Sequence, residues 1–301
     1  MRMGRHPGTP VARAMRNTSV ITTQLAPVAL PLRPTYREQT IDLPGRVSLS
    51  YVEHGDPTGL PVVFLHGWSD SWRSFEPLLP QLPPEIRAIA LSLRGHSESS
   101  RPETGYGTGD FAADVVGFLD AMEIESAVIV GHSMGSTIAL RLAVDEPEHV
   151  SGLVLMGAIR TWKRIIDVRE LRAAAHTLVD PVDPEFVRDF QLGTISRPVT
   201  PWYVDLVVDE SLKLPARVWQ SVIESFLPDR TYTRIELIDA SALLIWGDQD
   251  AVTPRSEQVI LRETIPDARL VVYPGTGHAV HWEQPERIAS DLLDFIDRLE
   301  R

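Results

Sequence analysis

The chain has 301 residues, 43% of them hydrophobic and 23% charged, a balance that excludes a disordered tail protein, a collagen and a coiled coil. Twenty-nine Lys and Arg against forty-one Asp and Glu give a net charge of −12, which argues against sequence-independent binding to nucleic acid or to an anionic membrane, since both need a basic surface. The absence of Cys removes disulfides, thiolate metal sites and cysteine nucleophiles together.

The charge is uneven. Residues 1–37 carry six Arg and no acid, so the remainder stands at −18. The segment VITTQLAPVALPL that follows the first arginines is interrupted by Thr22, Thr23, Gln24 and two prolines, unlike the clean apolar run of a secretory signal. Residues 1–35 therefore read as a flexible N-terminal extension; a poor export signal or a true start at Met15 are the other readings. No stretch approaches the apolar length of a membrane span, and the expected setting is cytoplasmic, although a chain without Cys suits either redox compartment.

From Tyr36 the pattern is regular. RVSLSYVEHG (46–55) alternates like an exposed antiparallel strand, whereas PVVFLHG (61–67) and IRAIALSL (86–93) are short apolar runs expected of strands buried on both faces. SAVIVGHS (126–133), SGLVLMG (151–157), SALLIWGDQD (241–250) and ARLVVYPG (268–275) repeat that form. Helical patterns lie between them at about 73–81, 108–122, 134–146, 254–264 and 285–300. Strands and helices in alternation predict an α/β fold with a mainly parallel sheet covered on both faces. Residues 158–231 break the rhythm: they hold no comparable strand, six prolines and short amphipathic pieces such as ARVWQSVIESFL, and read as a helical insertion over one end of the sheet.

The most informative motif is Gly131-His132-Ser133-Met134-Gly135, set between the strand residues VIV and a helical run. A strand that turns this sharply into a helix holds its serine in a strained conformation clear of the sheet, with glycines where no Cβ fits. The alternative is a serine that merely caps a helix. A nucleophilic serine needs a base and an orienting acid, and on such a sheet these follow the serine in chain order, at the ends of later strands. Asp250 lies just past the strand at 242–246 and His278 just past that at 269–273. Asp248 and Glu283 compete as the acid, and His66, His96, His132 and His281 as the base; His66 and His132 each adjoin a motif glycine and read as braces for the loops around them. The oxyanion would be met by the backbone amides of Trp68, in the turn His66-Gly67-Trp68, and of Met134.

These motifs resemble those of the α/β-hydrolase fold superfamily, in its lidded serine esterase branch. The resemblance covers about residues 38–301 and rests on HGW at 66, LRGHSESSRP at 93, GHSMG at 131, WGDQD at 246 and GTGHAVHWEQPE at 275. It implies a mainly parallel eight-stranded sheet with flanking helices, a core of 36–157 and 232–301, and an inserted helical cap at 158–231. It assigns the triad to Ser133, Asp250 and His278 and the oxyanion donors to Trp68 and Met134. Epoxide hydrolase and haloalkane dehalogenase relatives carry an aspartate where Ser133 stands, so alkyl-enzyme chemistry is disfavoured. Ser92 and Ser97 depart from the family's usual Asp and Gly around the LRGHS loop.

The expected function is hydrolysis of a carboxylic ester or lactone of a small, largely apolar substrate, with no metal or organic cofactor, no nucleic-acid partner and an unreadable oligomeric state. The rivals are C–C bond hydrolysis or perhydrolysis with the same triad, or a non-catalytic ligand receptor on the same fold. The expected pocket walls are Trp162, Trp202, Trp219 and His281. Arg160, Lys163, Arg164 and Arg197 are the nearby cations that an acidic substrate would require.

Overall fold

A computed structural model describes residues 35–299 except Arg46; the extension predicted for 1–35 lies, Thr35 apart, outside the described residues. Eight strands form one sheet in the order β1-β2-β4-β3-β5-β6-β7-β8. They are β1 (Gln39–Leu43), β2 (Val47–His54), β3 (Leu60–Leu65), β4 (Ile86–Ser92), β5 (Ala127–His132), β6 (Val150–Met156), β7 (Ala242–Gly247) and β8 (Ala268–Tyr273). β2 runs antiparallel to both its neighbours, and every pair from β4 to β8 is parallel.

The unbroken apolar runs of the central strands have the physical cause expected of them: each strand feeds two cores. Val63, Leu65, Ile129, Leu153, Leu155 and Leu244 enter one cluster. Their alternates Val62, Phe64, Val128, Val130, Val154 and Leu243 enter the other. Helices α1 (Thr108–Ala121) and α2 (Met134–Asp145) supply Phe111, Val115, Phe118, Ile138 and Leu142 to the first face. The C-terminal helix, Pro285–Leu299, supplies Ile288, Leu292, Phe295 and Ile296 to the second.

Between β6 and β7 the chain leaves the sheet. It forms α3 (Val168–Thr177), α4 (Pro184–Leu192), α5 (Pro201–Leu212) and α6 (Ala216–Phe226) and contributes no strand to the sheet. Helix α7 (Arg255–Thr264) then follows β7, the single turn α8 (Val280–Glu283) follows β8, and α9 is the C-terminal helix Pro285–Leu299. No helix among the described residues is long and apolar enough to cross a membrane.

Two local expectations are corrected, and one strand is added. The strand read as exposed at 46–55 is largely buried in β2, because β1 pairs along its outer edge and Phe118 of α1 packs on Tyr51 with ring centroids 5.1 Å apart. The helix expected at about 73–81 is two 3₁₀ turns, Trp72–Phe75 and Leu79–Gln81, since Pro77 and Pro80 remove the amides that a continuous helix needs. Strand β1 was not foreseen: QTIDL is short and half-exposed, with too little apolar character to stand out.

Candidate active site

Ser133 sits between β5 and α2 with φ 51° and ψ −113°, a backbone region that non-glycine residues rarely occupy and that is held only where the surroundings over-determine it. The flanking glycines are part of that constraint. A Cβ on Gly131 would lie 2.4 Å from the Gly135 carbonyl oxygen, and one on Gly135 would lie 2.0 Å from the Leu65 carbonyl oxygen. The elbow is therefore wedged between α2 and β3. Ser136 fastens it: its Oγ donates to the Ser133 carbonyl at 2.5 Å and accepts from the Ile159 amide at 2.9 Å.

Asp250, beyond β7, accepts from four donors. Its Oδ1 takes the amides of Val252 and Thr253 at 2.7 and 2.8 Å; its Oδ2 takes Thr253 Oγ1 at 2.6 Å and His278 Nδ1 at 2.9 Å. A carboxylate oxygen can only accept, so His278 carries its proton on Nδ1 and presents Nε2 as a base. Nε2 is buried and has no hydrogen bond, while His278 and Ser133 line one cavity.

The other candidates fall elsewhere. Asp248 accepts from the Gly275 amide at 2.7 Å and binds the two strand-end loops together. Glu283 accepts from the amides of Gly277, Ser196 and Arg197 at 2.9–3.0 Å, joining the histidine loop to the segment after α4; burial raises its carboxyl above the usual range. His66 spans two loops, with Nδ1 on the Gly67 carbonyl at 2.7 Å and Nε2 accepting from the Leu93 amide at 2.9 Å. His96 binds the Arg94 carbonyl through Nδ1 at 2.8 Å. His132 lies 3.3 Å from the His278 carbonyl, and burial followed by the neighbouring His281 holds it neutral, well below the ordinary histidine value. The amide of Met134 opens α2 and so has no acceptor within that helix, and Trp68 lines the cavity next to Gly67.

Of the four pocket residues expected, Trp162 lines this cavity. Trp202, Trp219 and His281 do not appear among its lining residues. Trp219 stands behind Trp68, centroids 5.1 Å apart; Trp202 packs against Tyr203; His281 contacts Ser74 Oγ through Nε2 at 2.9 Å and packs at a tilt against His132. The insertion's aromatics thus mostly build its own core. The cavity is lined by Ile159, Ile165, Leu171, Phe190 and Val252 among others, and none of its lining residues is Arg or Lys. Arg160 is paired with Glu257 at 2.9 Å, and Lys163, Arg164 and Arg197 are exposed.

Sequence reasoning missed Asp70 and Gln191. Both line the cavity, and Gln191 Nε2 donates to Asp70 Oδ1 at 2.9 Å. The available signal was an acid in the loop HGWSD, beside a proposed oxyanion turn. Burial pushes the Asp70 carboxyl up from 3.8 to about 6, against the bonds from Gln191 and Ser74 that favour its anion. A folded value above the unfolded one means that the native state holds a proton the unfolded chain has released, so this group lowers stability as pH rises from about 4 to 6. Asp70→Asn is therefore expected to gain on the wild type by up to about 3 kcal/mol between pH 4 and 7.5. Denaturant titrations at the two pH values test this; a mutant-minus-wild-type difference independent of pH would contradict it.

The model of the alpha/beta hydrolase family matches residues 62–291. A 2-hydroxymuconate semialdehyde hydrolase of Pseudomonas sp. strain CF600 is 30% identical, over 81% of this chain and 89% of that protein. A non-heme chloroperoxidase of Streptomyces lividans is 28% identical, over 85% and 99%. Among solved structures, an esterase from Exiguobacterium antarcticum superposes with a TM-score of 0.77 at 22% identity, covering 87% of this chain and all of that one. The strained serine elbow, the sheet order and this match over most of the sequence agree: the chain belongs to the alpha/beta hydrolase family.

Proposed function

We propose that this hydrolase cleaves a carboxylic ester or lactone of a small, largely apolar substrate through an acyl-enzyme on Ser133. The observation that carries the reading is His278, held at Nδ1 by Asp250 with its unpartnered Nε2 buried in the cavity that Ser133 lines. His278 removes the Ser133 proton as Oγ attacks the carbonyl carbon, and returns it to the leaving alkoxide. Water then enters, gives its proton to His278 and attacks the acyl carbon; Ser133 leaves with that proton and the acid is released. The amides of Trp68 and Met134 meet the oxyanion, a role worth roughly 3–4 kcal/mol per donor in such sites. Residues 158–231 act as a cap, with Trp162, Leu171, Phe190 and Gln191 closing the cavity from that side.

The same cavity weighs against the C–C hydrolysis of an acidic dienoate. Its lining offers no Arg or Lys and does include the Asp70 carboxyl, which would repel a carboxylate. Release of acid from a series of acyl and alcohol chain lengths, lactones included, tests the reading. Hydrolysis of short neutral esters or lactones is expected, with a ring-fission dienoate untouched. Cleavage of the dienoate alone would overturn the ester assignment.

A further inference from the structure

Asp70 is 4% exposed; Gln191, Ser74 and the Gly67 backbone donate to its carboxylate, and His278 lies near enough to favour the anion. Gln191 Nε2 has two protons for three acceptors: Ser211 Oγ at 2.7 Å, Asp70 Oδ1 at 2.9 Å and Ser69 Oγ at 3.3 Å. Ser74 Oγ lies 3.2 Å from Asp70 Oδ2 but also 2.9 Å from His281 Nε2. The nearest ring nitrogen, His132 Nδ1, is 3.9 Å from Oδ2 and has no hydrogen-bond partner, and its ring is neutral. Among the described residues no Arg or Lys forms an ion pair with Asp70. A buried carboxylate without a cation is costly, and such groups are ordinarily paired. This one stands in the wall of the cavity that holds Ser133 and His278, where a ligand can supply a further donor.

We propose that Asp70, oriented by Gln191 from the inserted helices, is a specificity-determining subsite that accepts a hydrogen bond from a hydroxyl or ammonium group on the substrate. The preferred substrates are then hydroxy- or amino-substituted esters or lactones, whose remaining surface meets the apolar walls; anionic esters are rejected. Trp68 Nε1, a buried donor without a partner on a residue lining the same cavity, can serve the lone pairs of that same hydroxyl. The inference rests on the ester reading and adds the polar group its substrate carries.

The test is a set of methyl butanoates and hexanoates bearing methyl, hydroxyl, ammonium or carboxylate at C3 or at the chain end, with acid release followed by titration. In the wild type at pH 7.5, kcat/KM for the hydroxyl or ammonium ester should exceed that of its methyl analogue by about tenfold in at least one series, the size of one charge-assisted hydrogen bond. The carboxylate ester should fall below the methyl analogue. Asp70→Asn should bring the donor preference to within about threefold of unity and relieve the penalty on the carboxylate. The wild-type comparison decides the matter even if the variant fails to fold. Methyl analogues preferred in every series would overturn the subsite while leaving ester hydrolysis standing. An equal loss by Asp70→Asn on all substrates would also overturn it, since that would mark Asp70 as electrostatic support for His278. Hydrolysis of none of the esters would overturn the ester reading and the subsite with it.

Discussion

Ser133→Ala is expected to lower kcat/KM for any ester that the wild type cleaves by about 10⁶-fold, as loss of the nucleophile does in comparable triads. The fold should not change. The Ser133 side chain makes no capping bond to α2, and alanine has the same Cβ that serine already accommodates at φ 51°. What remains would come from the Trp68 and Met134 amides acting on a substrate attacked by water. Steady-state kinetics beside a thermal melt check both halves. An unchanged melt with turnover within tenfold of wild type would remove Ser133 from the chemistry.

Asp250→Asn should cost about 10⁴-fold, chiefly in kcat. Four donors converge on the Asp250 carboxylate, and an amide offers only one accepting oxygen. If that oxygen keeps the Val252 and Thr253 amides, its NH₂ faces His278 Nδ1. The ring must then accept there and carry its proton on Nε2, where it can no longer take one from Ser133. Asp248→Asn is the control: Asp248 is exposed and its acceptor role toward the Gly275 amide survives the change, so turnover should stay within a few-fold of wild type. Comparable losses in the two variants would undo the assignment of the acid. Measuring kcat and KM separately for both distinguishes these cases.

The fold was legible because its determinants are local and repeated. A strand buried on both faces has no polar side, so VVFL, VIV and LLIW mark the centre of the sheet without reference to anything distant. The serine elbow was legible for a similar reason, since the glycines it needs stand within two residues of Ser133. Both the histidine–aspartate pair and its place in the turns followed from where strands end. Residues whose role depends on tertiary approach were not legible. Trp219 and Trp162 are one residue type on neighbouring pieces of the insertion, yet Trp162 faces the cavity and Trp219 backs Trp68; only the tertiary packing of α6, which sets Trp219 among Trp68, Phe186 and Phe190, decides between them. Asp70 stands in a short polar stretch after HGW. Its partner Gln191 lies 121 residues away in sequence, a pairing that no local pattern records.

Catalysis through an acyl-enzyme requires a covalent bond to Ser133. Intact-mass analysis after exposure to a fluorophosphonate ester, followed by peptide mapping, reads that bond directly. One adduct per chain is predicted, located on the peptide containing Ser133, absent from Ser133→Ala and accompanied by loss of ester turnover. Full ester turnover by a protein that takes up no adduct, or an adduct at any other residue, would contradict it.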